Sequence, residues 1–373
     1  MVAKCFILIM CIFCLPHLGC TNMKSSPEKL LEVWWKSYKK NFVLSSGRVQ
    51  RPDQDLDTVS EGQAYAMLFS VFMNDKKTFD RIYGWTEKHL SRNKKEGDHL
   101  LAWHWKEGDV DDWMPASDAD CDYAFALLLA SYKWKETIYS EKAIQVINDI
   151  LELETIRGNG NRLFLLPGIW GNEENGYLIQ NPSYYSPAAF RLFFENTQDS
   201  RWLDLLETGY WVLHQSSNRL GDLSGCGLTP DWCVVDSDGN ILTAENRSNN
   251  YGWEAIRVPM RVGFDILWYK TEKGNKILEK IYYALQASNA DLGGTKAVYC
   301  YTGEPAVEYD SLAATAMACF TAQVSNFKKN KLKTLLVNML NEESSILDYY
   351  GQSLVFYPLA LEGGVLGKPS KAF

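Results

Sequence analysis

Three groups of acidic residues stand at the heads of apolar segments, where their types and spacing could serve acid–base chemistry. In Ala116-Ser117-Asp118-Ala119-Asp120-Cys121-Asp122, three carboxylates fall within five residues, and Tyr123 to Trp134 behind them is almost wholly apolar. Runs that apolar are built to be buried, and carboxylates beside buried surface are costly unless they are paired or used. In Thr58-Val59-Ser60-Glu61-Gly62-Gln63-Ala64-Tyr65-Ala66-Met67, Glu61 lies in the first turn of a helical pattern, flanked by Gly62. In Tyr251-Gly252-Trp253-Glu254-Ala255-Ile256-Arg257-Val258-Pro259-Met260-Arg261, Glu254 and Arg257 are three apart inside a strongly apolar segment that contains a proline. A carboxyl whose pKa is raised by desolvation can donate a proton, and one kept ionised can accept it. Plainer readings stand beside these. Glu61 could be a favourable charge at a helix N-terminus, worth about 0.3–1 kcal/mol, with Ser60 as the cap. Glu254 and Arg257 could be a helix-surface pair. Solvated charge at a helix start explains one of the three aspartates, since Ser117 can cap that helix by itself.

The elements that must position these groups are helical. Ser26 is the expected cap of a helix that Pro27 opens and that runs through Val43. Apolar residues recur at three and four spacing near 61–74, 76–93, 118–134, 140–155, 186–197, 200–216, 250–271, 274–288, 307–323, 327–341 and 344–361. That makes about twelve helices. Strand patterns are few, Arg162–Pro167 and Ala297–Tyr301 being the best. The connections 95–117, 156–185, 218–250 and 289–306 are long and rich in Trp, Asp, Asn and Gly, as functional loops are. Each follows one helix and precedes the next, so they could gather at one end of a helical barrel. No composition shift marks a domain boundary: residues 1–20 read as a signal and 21–373 as a single catalytic domain.

Composition narrows the partners. The net charge is −8 with no basic tract, which argues against nucleic acid. Aromatics reach 13%, with 13 Trp and 20 Tyr. Trp103, His104, Trp105, Trp113, Trp170, Tyr184, Tyr185, Trp232, Tyr349 and Tyr350 concentrate in or beside the long connections. Each alone is a core residue in the simplest reading; together they fit stacking platforms for sugar rings. The five His are scattered, and neither a Ser-His-Asp order nor a phosphate-cradling glycine loop is present. The cysteines outside the signal show no CxxC pair or adjacent His cluster, so no zinc site, other metal or cofactor is expected. Cys226 and Cys233 could pair across a loop, while Cys121 and Cys319 read as small buried hydrophobes. Lys4 and the apolar run Phe6–Leu15 form an export signal too short to span a bilayer. His17-Leu18-Gly19-Cys20 resembles the bacterial lipoprotein cleavage box, which makes Cys20 a lipid anchor and the only expected membrane contact.

With these residues in place, the chain resembles glycoside hydrolase family 8. Ala116 to Trp134 is similar to that family's signature, with Tyr123 where Ile or Met is usual. Val59-Ser60-Glu61-Gly62-Gln63, Asn181-Pro182-Ser183-Tyr184 and Pro230-Asp231-Trp232 also match, in the family order, over about residues 30–362. The resemblance implies an all-α fold, the (α/α)6 barrel of twelve helices in two rings, with minor β hairpins at the cleft. It implies metal-free inverting hydrolysis of β-1,4-linked polysaccharide or oligosaccharide, nearest to the bacterial endoglucanases. Glu61 would be the general acid. The family's base is an Asp in a Tyr-Asp-Ala-x-Arg setting, and here Glu254 holds that place, longer by about 1.5 Å. Glu254 is the expected base, with Asp118 its rival and otherwise the grip on sugar and water; Arg257 would orient Glu254. Trp103, Asp120, Trp170, Tyr184, Trp232 and Tyr251 are the expected sugar contacts, and a monomer is expected. A xylanase or chitosanase of the same family, and a silent glycan-binding lipoprotein, are the alternatives.

Overall fold

The structure, a computed structural model, describes residues 26–172, 176–288, 295–327, 330–342 and 346–370. The signal and Cys20 lie outside the described residues. The helices are α1 (Pro27–Phe42), α2 (Ser60–Phe72), α3 (Lys76–His89), α4 (Asn93–Glu96), α5 (Ser117–Trp134), α6 (Thr137–Leu153), α7 (Pro187–Thr197), α8 (Arg201–Asn218), α9 (Val258–Tyr269), α10 (Glu272–Ser288), α11 (Leu312–Val324), α12 (Asn330–Leu340) and α13 (Tyr349–Glu362). Apart from the single turn α4, they alternate between two rings. Helices α2, α5, α7, α9, α11 and α13 pack in a closed inner ring, and α3, α6, α8, α10, α12 and α1 pack on their respective outer faces. This is an (α/α)6 barrel.

Sequence decides which ring a helix joins. On α1 the buried residues Leu31, Trp34, Trp35, Tyr38 and Phe42 form one stripe, the pattern of a helix with a wet side. On α2 every residue from Gly62 to Phe72 is buried, and on α11 every residue from Leu312 to Ala322. A helix apolar all round has to be surrounded. Inner helices lead to outer ones through short links such as 73–75, 135–136 and 270–271, whereas outer helices return to inner ones through 90–116, 154–186 and 219–257. The long connections therefore converge on the N-termini of the inner helices, at one end of the barrel.

Small sheets lock these connections. The strands are β1 (Thr58–Val59), β2 (His104–Lys106), β3 (Asp109–Asp112), β4 (Thr155–Arg157), β5 (Leu163–Leu165), β6 (Leu178–Gln180), β7 (Arg219–Leu220), β8 (Leu223–Ser224), β9 (Cys233–Val235) and β10 (Ile241–Thr243). They pair as β1-β2-β3, β10-β9-β6, β4-β5 and β7-β8, all antiparallel. The pairing Val59↔His104 sets Trp103 beside the start of α2, and Gln180↔Cys233 sets Asn181 beside Trp232.

Ser26 caps α1, accepting from the Lys29 N–H. Several expectations are corrected. Ser60 and Ser117 are first residues of their helices and cap neither; Ser117 Oγ instead donates to the Leu166 carbonyl at 2.6 Å, tying α5 to the β5 connection. The segment 250–271 is not one kinked helix. Residues 250–254 are extended or turning, Ala255–Arg257 is a 3-10 turn, and α9 starts at Val258, so Pro259 sits in the first turn, where its missing N–H costs nothing. Ala297–Tyr301 forms isolated bridges, Tyr251↔Tyr299 and Tyr299↔Pro305, rather than a strand. Cys226 and Cys233 are both free: Cys226 is exposed, while Cys233 is buried in the β10-β9-β6 sheet. Cys121 and Cys319 are buried and free. Tyr123, unusual for the resemblance, points away from the cleft and donates to Glu87 at 2.6 Å, which also holds Lys142 at 2.8 Å.

Candidate active site

Asp118 and Asp122 are one turn apart on α5 and share a face. Arg257, in the 3-10 turn, and Arg261, on α9, are likewise one turn apart. The two pairs meet as rungs: Arg257 Nη1 donates to Asp118 Oδ2 at 2.8 Å, and Arg261 Nη1 donates to Asp122 Oδ1. All four side chains are almost fully buried, where an unpaired charge would be very costly. Arg261 is further fixed by the Ser183 carbonyl and Ser186 Oγ, both at 3.1 Å. The lower rung thus welds α5 to α9, and the upper rung lies at the mouth.

Arg257 is the hub of that mouth. The same Nη1 donates to Glu61 Oε2 at the start of α2, while Nη2 donates to Glu254 Oε2 and, at 3.2 Å, to Ser183 Oγ. One guanidinium therefore holds three carboxylates. Glu61 and Glu254 are thereby held on the two ends of one guanidinium fork. Asn181 Nδ2 also donates to Glu254 Oε2 at 2.9 Å. Among the described residues, Oε1 of Glu61 and Oε1 of Glu254 have no protein partner, which leaves one oxygen of each for a ligand.

The backbone of Glu254 is set by Asp231. Its Oδ1 accepts the N–H groups of Gly252, Glu254 and Ala255 at 3.0, 3.0 and 2.9 Å, and its Oδ2 accepts Ser248 Oγ at 2.9 Å. Gly252 permits this approach, since a Cβ there would sit 2.6 Å from Asp231 Oδ2. Gly62 does the same for Tyr349, whose hydroxyl would lie 2.6 Å from a Cβ beside Glu61.

The charges are unequal in kind. Glu61, with a side chain 19% exposed, is pushed up to about 7: burial is the largest cause, Arg257 opposes it, and Asp118 and Glu254 add to it. Three acids sharing one cation favour holding a proton, and burial adds to this at Glu61. Arg257 is pushed well above its ordinary range by those same carboxylates, despite its burial, and stays charged.

Aromatic side chains extend outward from this centre. The Tyr184 ring faces Arg257 at 5.3 Å, Trp232 lies 6.0 Å from Tyr184, and Trp170, 38% exposed, lies 6.3 Å from Trp232. On the Glu61 side, Trp103 stacks on His104 at 4.8 Å, and His104 is held between Asp57 at 3.0 Å and Asp111 at 2.8 Å. Two expected contacts are not at the surface of the cleft. Asp120 is fully buried on the back of α5, because two residues along a helix turn the side chain away from Asp118; its Oδ1 accepts the Leu101 N–H at 2.8 Å, and burial raises its pKa. Tyr251, 2% exposed, is a core residue whose backbone pairs with Tyr299. The exposed ring at that corner is Trp253, next to Tyr350 at 6.3 Å, whose hydroxyl donates to the Trp253 carbonyl. Asp231, Ser183 and Trp253 had no role in the sequence pattern; the Pro-Asp-Trp motif was the available signal for Asp231, and Tyr350 was named among the aromatic platforms.

The chain matches the model of the glycosyl hydrolases family 8 over residues 8–364. It belongs to that family. An endoglucanase of Salmonella typhi is 32% identical over 235 residues, 61% of this chain and 61% of that protein, which is less than two thirds of its length. Endoglucanase A of Acetivibrio thermocellus is 26% identical over 352 residues, 89% of this chain and 68% of that protein. The solved endo-1,4-D-glucanase of Vibrio fischeri ES114 superposes with a TM-score of 0.77 at 25% identity, covering 88% of this chain and 94% of that one. Within family 8, the longer side chain at 254 is accommodated here by clamping its Oε2 between Asn181 and Arg257.

Proposed function

We propose that this protein is an endo-β-1,4-glucanase that cleaves its polymer with inversion at the anomeric carbon. The observation that carries the reading is the Arg257 hub: three carboxylates on one guanidinium, one of them raised to about 7, beside an aromatic wall. Protonated Glu61 gives its proton to the leaving oxygen. Glu254 takes a proton from water, which attacks the opposite face of the sugar. Arg257 holds Glu254 and Asp118 in place through its hydrogen bonds, and Asp118 grips the sugar and orients the water. The proton on Glu254 then passes to solvent, from which Glu61 is reprotonated. Trp103, Trp170, Tyr184 and Trp232 bind the chain of sugars. The relatives named as endoglucanases support glucan as the polymer. The signal-like N-terminus and Cys20 support export with a lipid anchor.

The test is product analysis on carboxymethylcellulose, mixed-linkage glucan, xylan and chitosan side by side. New reducing ends, with a fast loss of viscosity, are expected on the two glucans. Cleavage of xylan or chitosan alone would move the assignment within the family. Retention of cellohexaose without cleavage of any polymer would make the protein a silent glycan binder.

A further inference from the structure

The loop after β10 brings a cation to the aromatic wall. The guanidinium of exposed Arg247 lies 5.0 Å from the Trp170 ring and 4.7 Å from the Trp232 ring, and those two rings are 6.3 Å apart and inclined at 43°. It fills the notch between the two indoles. Its position is imposed by the loop, which is pinned beside it. Ser248 Oγ donates to Asp231 Oδ2 at 2.9 Å, the Ser248 carbonyl accepts the Trp232 N–H at 3.0 Å, and the Asn250 carbonyl accepts the Asp231 N–H at 2.7 Å. Asp231 thus sets Glu254 on one side and Arg247 on the other. Contact runs without a break from Arg257 through Tyr184 and Trp232 to Arg247.

Two other cations around the mouth have acidic partners: Arg51 pairs with Asp57 at 2.6 Å, and Lys106 with Asp55 at 3.1 Å. Arg247 pairs with no carboxylate among the described residues. A guanidinium stacked on an indole keeps its in-plane N–H donors free, in the fork that matches a carboxylate. A polymer lying along this wall meets a positive charge that no carboxylate of the described residues pairs with. We propose that Arg247 is a specificity-determining residue that makes the cleft prefer polysaccharide carrying carboxylate groups over the neutral polymer.

The proposal rests on reading the mouth as a glycan cleft, and its test separates the two. Carboxymethylcellulose and neutral hydroxyethylcellulose are the probes, with binding read as retardation in native gels containing either polymer and cleavage read as new reducing ends. At low salt, the ratio of affinities for the charged over the neutral polymer is expected to fall by up to about fivefold in Arg247→Gln, the worth of one exposed charge pair. It should fall further in Arg247→Glu. Salt of about 0.5 M should bring the wild-type ratio toward that of Arg247→Gln, because exposed charges are screened. The same ratio in all three proteins would overturn the proposal, whatever the activity. Retardation that follows Arg247 without any cleavage by the wild type would sustain it and sink the glucanase reading instead.

Discussion

Glu61 touches an arginine and is nonetheless pushed up to about 7, because burial and two neighbouring carboxylates outweigh one cation. Two outcomes follow. Glu61→Gln should lower kcat on glucan by about 10²–10⁴-fold, the usual worth of a general acid, while the protein still binds oligosaccharide and folds. The alkaline limb of kcat/KM should fall as pH rises through about 7, where Glu61 loses the proton it must donate; a limb set beyond pH 9 would contradict this. The division between the other two acids is read from a pair of variants. Glu254→Gln should abolish turnover and Asp118→Asn should weaken KM and kcat together; the reverse result would pass the base's role to Asp118. Glu61, Asp118, Glu254 and Arg257 were legible because each is a charge in an otherwise apolar segment. Asp120 was misplaced for want of the helix's facing, which only its neighbours reveal. Asp231 was marked only by its motif and given no role, because three of its four partners are backbone N–H groups, which leave no trace in side-chain identity.

At the scale of elements, the two-rung ladder between α5 and α9 does different work at its two ends. The Arg257–Asp118 rung faces the cleft, while the Arg261–Asp122 rung lies within the barrel and aligns the helices that carry the first. Removing one member of a buried pair strands the other, at about 3–5 kcal/mol. Asp122→Ala should therefore lower the midpoint of thermal unfolding sharply, and adding Arg261→Met should recover much of the loss. A double variant no more stable than the single would show that the pair is not the cause. The helices were legible from their apolar spacing, and the start of α9 was displaced because the apolar run 253–268 begins before the helix does. Apart from β5, which falls within the expected Arg162–Pro167, the two- and three-residue strands were not legible, since period-two alternation needs more residues than they contain. Yet their registers carry Trp103 to α2 and Asn181 to Trp232.

At the scale of the whole molecule, the alternation of outer and inner helices brings every long connection to the end where the inner helices begin. Helix N-termini carry partial positive charge, so that end suits a carboxylate such as Asp118 in the first turn of α5. The fold thereby makes one acidic mouth from segments as distant as residues 61 and 254, with an aromatic wall beside it. The ring architecture was implied by the family resemblance, with which the helix count agrees, whereas the closing of the ring depends on packing between α13 and α2, which no local pattern records. The central claim is that Glu61 and Glu254 act from opposite sides of the sugar on an attacking water. Proton NMR of the first products from a β-1,4-glucan oligosaccharide, taken before mutarotation, tests it most directly: the account predicts the α-anomer at the new reducing end, and a β-anomer would contradict it.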